Sequence, residues 1–147
     1  QIQRYMNKIS GPLLDRIDIQ CEISPVPFKD ISKAAPGEPS ARIRERVIRA
    51  REIQAERFKD FKGIHCNAQM TERMIHQFAE PTEEGINLLR MAMEKLSLSA
   101  RAYNRILKVA RTIADLAGSQ QVEPQHLAEA IGYRTLDRGD WAERGHF

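Results

Sequence analysis

Two arginines stand where a cation is out of place unless it has an anion to meet. Arg101 falls in the first turn of the helix spelled by Ser97–Gly118. There the helix dipole presents partial positive charge and the first N–H groups lack intrahelical partners. A phosphate in front of that turn would explain the residue. The alternatives are that Arg101 projects into water or pairs with Glu94. Arg16 sits between Asp15 and Asp18. It either closes a local ion pair within Asp-Arg-x-Asp or is presented from the rim of a sheet to a phosphate on a neighbouring subunit. In the second case its fixed fork would stabilise transferring charge. A third cationic group is the run Arg42, Arg44, Arg46, Arg49, Arg51 and Arg57. A solvated face studded with ion pairs, such as Glu45 with Arg49 one turn on, is the commoner use of such a run. A nucleic-acid stripe through Arg42, Arg46 and Arg49 is the other.

Other chemistry is missing. There is no Gly-x-x-x-x-Gly-Lys-Ser/Thr loop, no Gly-x-Gly-x-x-Gly and no Gly-x-Ser-x-Gly elbow. No carboxylate pair sits in an apolar setting that would tune one for acid–base work. His65-Cys66 could ligate a metal only with distant partners, so no metal site is expected. His126 reads as a surface or capping residue. Nothing here is a self-sufficient active site.

The elements that must hold these residues are mostly helical. Tyr103, Ile106, Leu107, Ala110, Ile113, Ala114 and Ala117 recur at helical spacing, with Ser97 or Ser99 as cap and Gly118 as stop. Arg101, Arg105, Lys108 and Asp115 fall on the opposite face, with Arg111 nearby. Before this helix, Thr82 caps another whose stripe is Ile86, Leu89, Met93 and Leu96, and the short turn between them predicts an antiparallel hairpin. Ser40 caps a basic helix from Ala41 to about Lys59 with a partial stripe of Ile43, Val47, Ala50 and Phe58. A short helix begins at Asn67 or Thr71 and runs to Phe78. Pro124 opens a last helix to Arg134, burying Leu127, Ala130 and Ile131. At the front, Gln1–Ile9 reads as a helix end. Ile17, Ile19, Cys21 and Ile23 then alternate like a strand, which cannot stand without a partner. Ser24–Ser40, with four prolines and a glycine, is a linker. Asp137–Phe147 should fray. The fold expected is mainly α: a helical bundle preceded by a short helix and strand remnant.

The 147 residues suffice for one domain with a core, or a small domain with an appendage. A first residue that is not methionine, in mid-element, reads as a piece of a longer protein. Net charge of +3 is compatible with nucleic acid without being diagnostic. Two distant cysteines form no disulfide framework, so a reducing cytoplasm is the default. No apolar run is long enough to span a bilayer, and no membrane partner is expected.

Taken together, Lys8-Ile9-Ser10-Gly11-Pro12-Leu13-Leu14-Asp15-Arg16-Ile17-Asp18-Ile19, Gly37-Glu38-Pro39-Ser40, Asn67-Ala68-Gln69-Met70, Leu98-Ser99-Ala100-Arg101-Ala102-Tyr103, Arg105 to Leu116 and Glu129-Ala130-Ile131 with Tyr133-Arg134 carry a family likeness. The chain resembles the C-terminal part of the bacterial magnesium-chelatase-like AAA+ proteins, most of all their ComM/YifB group, over nearly all of residues 4–138. The resemblance implies an ATP-driven ring oligomer, usually a hexamer, acting on DNA as a branch-migration helicase in natural transformation. It implies ATP and Mg2+ in the full-length parent and none bound to this piece, which is inactive and monomeric by itself. Arg16 in Leu-Leu-Asp-Arg resembles the arginine finger that reaches the neighbour's ATP. Arg101 in Leu-Ser-Ala-Arg resembles the sensor-2 arginine touching its own subunit's nucleotide. By the same likeness, residues 1–39 end the AAA+ core, 40–137 form the helical lid and 138–147 are tail. Lid motion would hinge through Ser24–Pro39. The family's usual phenylalanine after Leu-Leu-Asp-Arg is Ile17 here, and Glu38-Pro39-Ser40 replaces the commoner Glu-Ser-Ser. Two rivals remain: a non-enzymatic helical module binding DNA or protein through the basic helix, and a chelatase-type motor subunit.

Overall fold

The computed structural model of the chain describes residues 10–21, 23–28, 36–96 and 98–134. The helix expected within Gln1–Ile9, Ser97 as an alternative cap and the tail with Trp141 lie outside them. Among the described residues, five helices of seven residues or more carry the fold: α1 (Ser40–Phe58), α2 (Glu72–Phe78), α3 (Glu83–Lys95), α4 (Ala100–Leu116) and α5 (Pro124–Gly132). One helical turn, Gly11–Leu14, precedes them, and a 3-10 turn, Asn67–Gln69, lies between α1 and α2. The protein is mainly helical, as its periodicity predicts.

α4 is the centre. α1, the 3-10 turn, α2 and α5 all pack against it. Its stripe of Ile106, Leu107, Ala110 and Ala114 is fully buried, and burying each of the larger side chains contributes roughly 1.5–3 kcal/mol. At one side of the core Phe58, Phe61 and Phe78 meet edge to face, with ring centroids 5.7–6.4 Å apart.

The expected hydroxyl caps form in three of four cases. The Ser99, Thr82 and Thr71 hydroxyls accept from the N–H groups of Ala102, Gly85 and Met74, at 3.2, 3.3 and 3.4 Å. Ser40 does not cap α1. It lies inside the helix, and Pro39 takes the cap position with φ −63° and no side-chain bond. The fixed proline φ is already suited to a helix start. At the other end of α4, Gly118 adopts φ +70°. The N–H of Ser119 then reaches Ala114 O and that of Gly118 reaches Asp115 O, at 2.9 and 3.1 Å. α5 begins at Pro124, and His126 Nδ1 accepts from the Glu123 N–H at 3.1 Å. His126 is therefore a capping residue, and a buried one.

Three further expectations fail for physical reasons. α3 and α4 do not form a closely packed hairpin; α3 packs against α5. A parallel bridge between Pro81 and Val122, with the Thr82 N–H donating to Val122 O at 3.3 Å, lays the approaches to α3 and α5 side by side. Gly85 then lets α3 close on α5, because a Cβ there would stand 2.8 Å from Leu127 Cδ1 and 3.0 Å from Pro81 Cβ. The alternating run from Ile17 forms no strand among its described residues. With no strand beside it, the Gln20 N–H bonds instead to Tyr133 O at 2.9 Å, and Ile17, Ile19 and Ile23 stay exposed. Glu45 makes no ion pair with Arg49 among the described residues; Arg46 pairs instead with Glu38, folding the preceding loop back along α1.

Candidate nucleotide-facing surface

Arg101 occupies the second position of α4, exposed, with no acidic residue in that turn. Its guanidinium has no hydrogen bond or ion pair among the described residues, and Glu94 does not pair with it. The helix start itself is served by other groups. Ser99 Oγ donates to Asp15 Oδ2 at 3.0 Å while accepting from Ala102. A carboxylate thus sits beside the positive end of α4, where the dipole favours it.

Arg16 follows that carboxylate in sequence. It is exposed, and its Nη1 donates to Pro12 O at 2.8 Å. The Asp-Arg-x-Asp ion pair is not formed, because both acids are committed to other cations or to the cap. Asp15 serves Ser99 and lies 3.9 Å from the Arg134 guanidinium. Asp18 pairs with Arg105, one turn beyond Arg101. The structure therefore brings the segment carrying Arg16 onto the end of α4 that carries Arg101. Arg134 completes the junction. It is buried, with Nη1 donating to Ile17 O at 2.9 Å and Nη2 to Asp15 O at 3.3 Å. The expected hinge, Ser24–Pro39, thus separates two parts that are joined here by Asp15–Ser99, Asp18–Arg105, Arg134 and Gln20–Tyr133.

The other arginines divide. Arg42 and Arg49 are exposed on α1; Arg46 is exposed but held by Glu38, whose carboxyl the guanidinium pulls below its ordinary range. Every residue from Ser40 to Arg49 is exposed, and burial on α1 begins at Ala50. Arg57 points inward. It bonds Asn67 Oδ1 at 2.8 Å and Asp115 Oδ2 at 2.7 Å. Arg111 reaches the same carboxylate through Nε at 3.1 Å and caps two loop carbonyls, Gln120 O at 2.8 Å and Ser119 O at 2.6 Å. Asn67 Nδ2 donates to Asp115 Oδ2 at 2.8 Å, and the Asn67 N–H to Gln54 Oε1 at 2.9 Å. Asp115, assigned by spacing to the polar face of α4, and Arg111, placed near that face, are both buried. Burial drives Arg111 below the ordinary arginine range, and the Asp115 charge opposes that. Lys108 is also lowered, first by burial and then by Arg105, and it donates to Ala68 O at 2.9 Å.

Sequence reasoning missed Arg105 and Arg134 as partners of the Arg16 segment, since their separations of 87 to 119 residues leave no local signal. Among the described residues no group of three or more His, Cys, Asp or Glu could hold a metal. The two cysteines are free, and no helix of the described residues is long and apolar enough to cross a membrane.

Residues 37–134 match the family described as magnesium chelatase, subunit ChlI C-terminal, and residues 1–31 match magnesium chelatase, subunit ChlI. The chain belongs to the magnesium chelatase ChlI C-terminal family. Within it, the chain is 45% identical over 139 residues to competence protein ComM of Haemophilus influenzae, covering 94% of this chain and 26% of that protein. It is 43% identical over the same length and shares to the uncharacterized protein YifB of Escherichia coli. It is 35% identical over 132 residues to Rv2897c of Mycobacterium tuberculosis, 90% of this chain and 26% of that protein. The chain thus spans about a quarter of these magnesium-chelatase-like AAA+ relatives and corresponds to their C-terminal part.

Proposed function

We propose that this chain is the arginine-bearing helical lid, with the last segment of the core, of an ATP-driven ring motor that remodels DNA. The division falls near residue 39. The observation that carries the reading is the state of two guanidiniums: Arg101 has no ionic partner among the described residues, and Arg16 has lost both flanking acids to other groups. A guanidinium fork left exposed in this way suits a phosphate. ATP and Mg2+ would be held mainly by residues outside this chain, whose own contributions are these two cationic contacts. ATP, when bound, would supply the phosphoryl group that passes to water, and Arg16 and Arg101 would stabilise charge on the phosphates. In the full-length parent, Arg101→Ala should cut ATP turnover at least tenfold, since one charge-assisted contact contributes about 1.5–3 kcal/mol. Turnover at the wild-type rate removes the sensor role.

Arg16 would address the nucleotide of the next protomer and Arg101 that of its own. The Asp15–Ser99 bond favours a second reading, in which both address one nucleotide across the protomer boundary. Rings mixing Arg16→Ala with Arg101→Ala protomers separate the two. Intact sites reappear, and turnover recovers, only if the arginines serve different nucleotides. Ring formation is checked by the mass of the full-length protein with ATP, where a hexamer is expected.

DNA as the substrate draws support from the name of the relative ComM and from exposed Arg42 and Arg49 on α1, with Arg46 beside them. Binding of the parent to forked DNA should weaken steeply with salt. Arg42→Ala/Arg49→Ala should reduce the slope by about two, one for each phosphate no longer neutralised. Tight, salt-steep binding by this chain alone would favour a non-enzymatic DNA module. The free cysteines fit a reducing cytoplasm.

A further inference from the structure

We propose that Arg134 is a positioning residue for Arg16. Its buried fork grips the backbone carbonyls on either side of Arg16 and locks that segment to the helical bundle. This rests on the reading of Arg16 as a phosphate-facing group. The Arg134 guanidinium, 1% exposed, donates to Asp15 O and Ile17 O, the residues flanking Arg16, with the Asp15 carboxylate 3.9 Å away. Next along the chain, the Gln20 N–H bonds Tyr133 O, so residues 133 and 134 hold the segment at two places.

Desolvating a guanidinium is expensive, and an apolar side chain of similar volume would fill the same space at less cost. What arginine adds is register. Five N–H donors in one rigid plane fix two carbonyls two residues apart. The stretch from Asp15 to Gln20 has neither helix nor strand to order it, so these bonds set the direction in which the Arg16 side chain leaves the surface. Ser99 and Arg105 hold the acids of the same stretch from α4. A movement of the bundle is thereby carried to Arg16, and a misplacement of about 1 Å at such a group costs up to 10²-fold in rate.

The test uses the full-length parent and ATP turnover in four forms: wild type, Arg16→Ala, Arg134→Met and the double variant. Arg16→Ala is expected to lose roughly 10³-fold and Arg134→Met between about tenfold and 10²-fold. The double variant should be no slower than Arg16→Ala alone, because Arg134 acts through Arg16. Amide exchange should quicken at residues 15–20 in Arg134→Met while Ile106–Ala114 stays protected. If the two losses multiply, Arg134 has only a general structural role and the proposal is overturned. If Arg134→Met does not fold, Arg134→Lys, which can reach one carbonyl but not two, takes its place with a smaller loss of the same non-multiplying kind. Failure of both to fold also overturns the proposal. Wild-type turnover in Arg16→Ala is a different outcome: it sinks the phosphate-facing reading of Arg16, and the positioning role falls with it.

Discussion

The two ends of α4 carry the same residue type in opposite circumstances. At the start, Arg101 is exposed and unpaired among the described residues, on a turn whose cap is already satisfied by Ser99 and Asp15. Near the end, Arg111 is 2% exposed, shares the Asp115 carboxylate with Arg57 and caps two carbonyls of the loop that follows Gly118. The buried arginine is consumed by the fold: it ties α1, the Asn67 turn, α4 and the α4–α5 loop into one network. The exposed one contributes nothing visible to holding the bundle together. Saturated, buried donors mark Arg111 as architectural; the Arg101 guanidinium is left to solvent, which is where the proposed phosphate contact would form.

That contrast can be broken by mutation. Asp115→Ala should have the largest effect on stability, about 3–5 kcal/mol by denaturant unfolding, because it strands two guanidiniums at least partly out of water. A loss below about 1 kcal/mol would mean that Arg57 and Arg111 find other partners and that the network is not structural. Gly85→Ala should cost about 1–3 kcal/mol, since the new methyl meets Leu127 and Pro81 at 3.0 Å or less. Arg101→Ala should move stability by less than about 0.5 kcal/mol while lowering the parent's turnover; a large loss of stability would erase the distinction between the two ends of α4. The smallest effect concerns acid. Arg46 lowers the pKa of Glu38 from 4.5, so the stabilisation of that contact is complete above 4.5 and is lost as pH falls through the lowered value. Backbone chemical shifts at residues 38–46 should report this, and a midpoint at 4.5 or above would show the pair is not formed in solution.

Much of the architecture is legible in the sequence because helices are local. The stripe from Ile106 to Ala114, the caps at Thr71, Thr82 and Ser99, and the stop at Gly118 all depend on residues within one or two turns. The lack of a strand over the described residues of 17–23 is not legible, because alternation describes what a stretch can pair with, not whether a partner is there. The packing of α3 is not legible either: a short connection to α4 says nothing about how closely a third helix can approach, and Gly85 allows α5 to come in. Spacing puts Asp115 on the wet face, with Arg111 near it, because the partners Arg57 and Asn67 lie 58 and 48 residues from Asp115.

The amino-acid order by itself determined where the helices run and which face of α4 is apolar, because propensity, capping and periodicity act over a few residues; Arg16 and Arg101 it could only single out as candidates. Only the tertiary structure decided which charges are spent. Whether an acid beside Arg16 neutralises it depends on Ser99, Arg105 and Arg134 arriving from the far end of the chain, and charge pairing in a folded protein is settled by proximity in space.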